Sequence, residues 1–140
     1  MNDFTPLVVT ELDAARIREL GARLPDGGRG LAGLRDLVDQ VTSDADIVPG
    51  AQVAPDVVTM NSTVSFRDEQ TGLTHCVTLV YPADVAVAER RISVLSPVGR
   101  ALLGRAVGAI AEVEAPGPEP RAIRILALHY QPEAAGELTR

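Results

Sequence analysis

The sequence predicts an α+β fold: a short antiparallel helical hairpin followed by an antiparallel sheet of four or five strands with one packed helix. Three observations predict it. Apolar residues recur at spacings of three and four in two runs separated by a glycine-rich turn. From Val57 onward the period changes to two. Residues 92–108, ISVLSPVGRALLGRAVG, then read as strand, sharp turn, short helix and turn, and the rest of the chain is organised around them.

Leu7 to Val9 form a brief apolar run that suits a strand. Thr10, with Asp13 three residues on, resembles a capping box with Asp in place of Glu. It starts a helix to about Leu24, with Ile17, Leu20 and Leu24 along one face. Residues 25–30, PDGGRG, make the turn. The second arm begins near Leu31, and Leu31, Leu34, Val38, Val41 and Ala45 form a two-heptad coiled-coil seam. Arms of about fourteen residues extend ~20 Å at 1.5 Å per residue. The charges on their polar sides, Glu11, Asp13, Glu19, Asp36 and Asp39 with Arg16, Arg18, Arg23 and Arg35, read as a solvated face. Pro49, Gly50 and Pro55 mark a linker, so the expected division is residues 1–48 and 49–140.

In the second part, residues 62–68 alternate through Val64 and Phe66, and Gln70 to Gly72 read as a hairpin turn. Residues 73–81 return as a longer strand, stopped by Pro82 because proline cannot donate to a ladder. Residues 85–90 read as an irregular connection or a short helix. In the organising stretch, Ser96 is a good N-cap, since its hydroxyl can accept an orphan N–H of the first turn. Pro97 falls at the first helical position, where its missing N–H costs nothing. Leu102 and Leu103 supply the buried side, and Gly104 suits the left-handed conformation that closes a helix. Residues 110–115 and 122–130 form a last hairpin. Ile123 and Ile125 lie on one side of its second strand and Leu126 and Leu128 on the other, which suits a central strand. Residues 131–140 read as a tail, at least after Pro132.

Composition narrows the function. At 140 residues, one compact domain with a smaller appendage fits. A net charge of −6 opposes direct nucleic-acid binding, which needs Lys and Arg against phosphates. It suits a basic surface on a protein partner. Two Phe, two Tyr and no Trp leave an aliphatic core. The single cysteine, Cys76, excludes an intramolecular disulfide and points to a reducing compartment. Residues 1–6 lack the basic start of a signal peptide, and no apolar run approaches the ~20 residues of a membrane span. A soluble cytoplasmic monomer, with no cofactor, metal or membrane partner, is the expectation.

No G-x-S-x-G, P-loop or G-x-G-x-x-G occurs. His75 and Cys76 are strand neighbours and point to opposite faces, and no CxxC exists, so these two and His129 make no zinc site. Cys76 is expected to be a small core residue. At the hairpin tip stand Asp26 and Arg29. A hard dication wants several oxygen ligands in octahedral geometry, and Asp26 is the tip's one carboxylate, with the positive charge of Arg29 nearby. A turn aspartate is the plainer reading. Ser96 and Pro97 read both as a helix cap and as a pair displayed to a partner on the rim of the sheet.

Four stretches together resemble the Rnk family, the regulators of nucleoside diphosphate kinase: DVVTMNS (56–62), TLVYPA (78–83), SPVGRALLG (96–104) and YQPEAAG (130–136). The Ser-Pro-x-x-x-Ala-Leu-x-Gly pattern is similar to that of the wider Gre transcript-cleavage factors. The resemblance implies an FKBP-like domain that docks on RNA polymerase at the rim of the secondary channel, with the hairpin pointing into it. Ser96 and Pro97 would make the polymerase contact. Gre factors carry an acidic residue before the matching Ser-Pro, where this chain has Leu95, so the charged part of that contact is absent. Gre factors also have a long hairpin with two acidic tip residues that help bind the catalytic magnesium. A short Rnk hairpin implies polymerase binding in competition with Gre factors, without RNA cleavage. Two alternatives stand beside this: a Gre-like elongation factor acting through Asp26, and a peptidyl-prolyl isomerase. For the latter, Phe4, Phe66, Tyr81 and Tyr130 are too scattered to line a proline pocket.

Overall fold

Strand β1 (Leu7–Thr10) runs directly into helix α1 (Glu11–Arg23) in the computed structural model, which describes residues 7–23, 35, 37–113 and 121–137. Thr10 Oγ1 accepts the Asp13 backbone N–H at 3.1 Å, the N-cap half of the expected box. Strand β2 (Ala45–Val48) pairs with β1 in parallel, Leu7 opposite Ala45 and Thr10 opposite Val48. Parallel neighbours need a long crossover, and here the helical arms supply it. Ile17 on the first arm and Leu37 and Val41 on the second are buried. A Cβ on Gly21 would lie 2.9 Å from Val38 Cγ2, so the glycine lets the arms approach closely.

The second arm departs from the expected seam. It ends in one π-helical turn (Gln40–Asp44), and Ala45 opens β2 instead of closing a heptad. The apolar residues that follow find ladder partners on β1, which a further helical turn would forgo. Leu24, Leu31, Leu34 and the turn between the arms lie outside the described residues.

The main sheet comprises β3 (Thr63–Asp68), β4 (Thr74–Val80), β5 (Arg91–Ser93), β6 (Ile110–Val113) and β7 (Arg121–Tyr130), in the order β5-β4-β3-β7-β6. It is antiparallel from β4 across to β6, as expected, with the short edge strand β5 added parallel to β4. Two 3-10 turns, Pro82–Asp84 and Val87–Glu89, make that return. Helix α2 (Pro97–Leu102) lies against β6. Val64, Phe66, Val77, Leu79, Ile123 and Ile125 share one core with Val9, Ala14 and Ile17 of the N-terminal part.

Strand β7 has an inner face and an outer face, and its two apolar sets do not divide between them. Its pairing with β3 slips between Ser65 and Phe66, so Leu126 is an extra residue facing solvent. The bulge restores Leu128 to the inner face, opposite Val64, where it packs on the core. The segment after Tyr130 is anchored and is no loose tail. Gln131 is buried, its Nε2 donating to the carbonyls of Ala54 at 2.8 Å and Val57 at 2.7 Å, and its Oε1 accepting the Ala134 N–H. Unpartnered buried carbonyls are costly, so this one side chain ties the linker to the C-terminal segment.

Asp13 is no part of a solvated face: it is 3% exposed. Its Oδ2 accepts the Met60 N–H at 3.1 Å, and its Oδ1 accepts the Tyr81 hydroxyl at 3.3 Å. Burial raises the Asp13 carboxyl from 3.8 to about 6, against the Met60 bond, and the Glu133 charge adds to the rise. Burial and the Asp13 charge push the Tyr81 phenol up in turn. The folded chain therefore holds the Asp13 proton more tightly than the unfolded chain does. Stability falls as pH rises from about 4 to about 6, by about 3 kcal/mol at most. Asp13→Asn keeps an acceptor for Met60 and removes the charge. Its stability relative to the parent should climb with pH by up to about 3 kcal/mol between pH 4 and 7.5, read from urea unfolding. Parallel profiles would show that Asp13 ionises without cost.

Candidate functional site

The site is built where β5 turns into α2. The Ser93 carbonyl accepts both the Ser96 N–H at 3.0 Å and the Ser96 hydroxyl at 2.6 Å. Ser96 Oγ in turn accepts the Gly99 N–H at 3.1 Å, and the Ser96 carbonyl accepts the Arg100 N–H at 2.9 Å. Ser93 Oγ takes the Leu95 N–H at 3.0 Å. Both serine hydroxyls and the Ser93 and Ser96 carbonyls thus have local partners, and Pro97 occupies the first helical position, where its missing N–H costs nothing. Val94 is fully buried, and its N–H donates to Val80 of β4 at 2.9 Å.

The far end of α2 is held as firmly. Gly104 takes φ +79°, as expected of a helix-closing glycine. Its N–H donates to the Val58 carbonyl at 2.8 Å, and its own carbonyl accepts the Val8 N–H at 3.2 Å. A Cβ there would lie 3.0 Å from Leu7 Cδ2. Strand β1 therefore seats directly on the end of the helix that Ser96 begins.

Ser96, Pro97 and Val98 form one wall of a groove of about 1010 Å³. Phe66, Val77 and Ile123 of the sheet line its floor, and Val85 and Val87 its opposite lip. Phe66 packs on His75 with ring centroids 5.4 Å apart. At one end Arg121 Nη2 meets Asp68 Oδ2 at 2.8 Å. That bond holds the Asp68 carboxyl below its usual range, helped by the Gln70 N–H. Asp68 Oδ1 accepts the Gln70 N–H at 2.9 Å, so the same carboxylate shapes the β3–β4 turn.

Of the residues singled out in the sequence, Ser96 and Pro97 lie together on the rim of this groove. Asp26 and Arg29 lie outside the described residues. Cys76 is exposed, contrary to the core position expected of it. It pairs with Ser65 on the outer face of the sheet, while its neighbour His75 turns to the groove. His129 is a second bulge residue of β7, its Nε2 2.6 Å from Ser65 Oγ. Among the described residues no group of three His, Cys, Asp or Glu side chains is placed to hold a metal ion. Among the described residues Phe66 is the one Phe or Tyr of the groove lining, while the Tyr81 and Tyr130 hydroxyls bond to Asp13 and Glu137. Sequence reasoning missed Asp13, Gly99 and the groove. For Gly99 a signal existed: a glycine inside a predicted helix, where alanine would otherwise be better.

Residues 52–130 match the family model for the transcription elongation factor GreA/GreB C-terminal region. The chain belongs to the GreA/GreB C-terminal family. Within it the chain is Rnk-like: it is 38% identical over 131 residues to the regulator of nucleoside diphosphate kinase of Escherichia coli K12, across 94% of each chain. Transcription elongation factor GreA of Thermotoga neapolitana is 36% identical over 80 residues, 57% of this chain and 51% of that protein. A solved structure of a GreA/GreB transcription elongation factor from Nitrosomonas europaea is 39% identical. It covers 89% of this chain and 98% of that one at a TM-score of 0.69.

The turn predicts a sharp contrast between two glycines. A Cβ on Gly99 would lie 2.1 Å from the Ser93 carbonyl oxygen, a clash with backbone that no rotamer relieves. Gly99→Ala should destabilise by about 3 kcal/mol or more. Gly72 has φ +75° in open space, so Gly72→Ala should cost only ~1–2 kcal/mol, the left-handed strain. Equal urea midpoints for the two variants would mean that the Ser96 turn yields.

Proposed function

We propose that this chain is a non-catalytic regulator of transcription that binds RNA polymerase as a monomer and needs no cofactor. Residues 49–140 dock at the rim of the secondary channel. The short hairpin within residues 1–48 stands at its entrance and excludes Gre factors without cleaving RNA. The observation that carries this reading is the match, across 94% of both chains, to a protein named a regulator of nucleoside diphosphate kinase. Two further features support it. The Ser96–Pro97 turn is held rigid on a groove rim, and rigid display lowers the ordering cost of binding. Helix α1 has 13 residues and so is ~20 Å long, a short reach for delivering a carboxylate to a metal. At the tip, Asp26 beside Arg29 is a poor ligand set for magnesium.

RNA polymerase stalled in a backtracked complex tests the reading. The protein should add no cleavage of its own and should suppress cleavage by a Gre factor in proportion to dose. Stimulated cleavage by the protein alone would overturn the proposal in favour of a Gre-like factor, and Asp26→Asn should then abolish the activity while sparing binding. The double variant Ser96→Ala, Pro97→Ala should lose at least tenfold in polymerase affinity, about 1.4 kcal/mol, while circular dichroism shows it still folded. Binding that survives in the folded variant would reduce the pair to a helix cap.

A further inference from the structure

We infer that a polar hollow on the outer face of the sheet binds a small zwitterion of the α-amino-acid class, its carboxylate on Arg91 and its ammonium on Asp84. The inference is independent of polymerase binding. The hollow has a volume of about 400 Å³, at the small end of the range for small-molecule pockets. Thr63 of β3 and Thr78 of β4 line it from the sheet. They pair across the two strands and alternate with Val64 and Val77, which are buried on the inner face. Asp84 comes from the 3-10 turn after β4, Arg91 from the start of β5 and Asn61 from the turn before β3. Arg91, on the edge strand, stands between this hollow and the groove beside Ser96 and borders both.

Backbone strain gathers around the hollow. Among the described residues the two non-glycine residues with positive φ are Asn61, at +66°, and Arg90, at +55°. Asn61 lines the hollow, and Arg90 immediately precedes Arg91. Asparagine tolerates the left-handed region, whereas arginine is disfavoured there. Backbone bonds hold each of them. The Asn61 N–H donates to the Leu79 carbonyl at 2.6 Å, and the Ser62 N–H to the Thr59 carbonyl at 3.1 Å. The Arg90 N–H donates to the Val87 carbonyl at 3.1 Å, and the Arg90 carbonyl accepts the Thr78 N–H at 2.9 Å. The Asp84 N–H donates to the Tyr81 carbonyl at 2.9 Å, so the turn that carries the carboxylate is closed as well. Strain persists only where the surroundings over-determine it, and it clusters at ligand sites. The polar groups are thus set in place by the backbone, which lowers the ordering cost of binding.

Charge and hydrogen-bonding capacity select the ligand. Thr63 Oγ1 and Thr78 Oγ1 lie 2.9 Å apart. One hydroxyl hydrogen serves that bond and the other points elsewhere, so the pair offers a donor and lone pairs to a ligand. Asp84 forms no ion pair with a described residue. Arg91 reaches Glu89 only at 3.6 Å, with both side chains about half exposed, a pair of little strength in water. An anion alone would gain Arg91 and be repelled by Asp84, and an amine alone would meet the reverse. A molecule carrying both charges finds a partner for each. Val80 is the one apolar side chain among the described lining residues, so an apolar ligand gains little here.

Isotope-labelled protein titrated with L-serine and followed by amide NMR tests this. Shifts at Thr63, Thr78, Asp84 and Arg91 should saturate with a Kd of about 1 mM or tighter. Lactate, which lacks the ammonium, and ethanolamine, which lacks the carboxylate, should each bind about tenfold more weakly or worse. Arg91→Gln and Asp84→Asn change exposed side chains and leave the backbone bonds around them in place. Each should weaken L-serine binding about tenfold or more, in a chain whose spectrum otherwise matches the parent's. Absence of saturable shifts at these residues, or saturation retained in both variants, would overturn the inference. Lactate or inorganic phosphate binding as tightly as L-serine would also overturn it, by assigning the hollow to an anion held by Arg91 alone.

Discussion

Helix α1 is placed on the sheet by one buried carboxylate. Asp13 receives the Met60 amide, and its neighbour Thr10 caps the same helix, so the first turn of α1 is bonded both to itself and to the segment before β3. A buried charge is unfavourable unless hydrogen-bonded, and the penalty appears as the upward shift of the Asp13 carboxyl. The surroundings answer that penalty in part, through the Met60 N–H and the Tyr81 hydroxyl. Ile17 of this helix, with Leu37 and Val41 of the second arm, joins the common core. Gly104 makes the second attachment, with β1 seated so closely on it that a Cβ would lie 3.0 Å from Leu7 Cδ2 and 3.1 Å from the Val8 carbonyl oxygen. The arms of the hairpin therefore leave the sheet from a fixed base.

The same economy of local bonds shapes the surface that a partner would meet. Ser93, Ser96 and Gly99 close one turn among themselves, and the proline that follows adds no unsatisfied donor. The groove beside it joins an apolar floor to an arginine-bearing lip, on a protein whose overall charge is acidic. Net charge governs the long approach of two proteins. The nearest few side chains decide which sign is tolerated in contact, because screening confines surface charges to about 8–10 Å.

Much of the second part was legible because its determinants are local. Val64 and Phe66 alternate with polar residues, Gly72 marks the hairpin turn, and Ser96 with Pro97 announces a helix start in two letters. The alternation is a pattern within six residues, and the turn and the cap act through partners two to four residues away. The motifs that mark the family lie in the same stretches. Legibility failed where the partner is distant. Asp13 looked like a surface charge because Met60 is 47 residues away. Gln131 looked like the start of a tail because its carbonyl partners lie 77 and 74 residues back. Cys76 shows a different limit. A period of two separates His75 from Cys76, but only the packing of helix and core says which face is inside.

The sequence by itself determined the α+β class, the strand–turn–helix at Ser96 and the family, since hydrophobic period, capping and turn chemistry act over a few residues. Tertiary structure alone decided that β2 pairs in parallel with β1, that a bulge at Leu126 returns Leu128 to the core, and that Asp13 is buried. It also decided that Val85, Val87 and Arg90 border the same groove as Ser96. These depend on which surfaces meet across long loops, and side-chain pattern along a chain carries no record of that until the core has chosen its inner face.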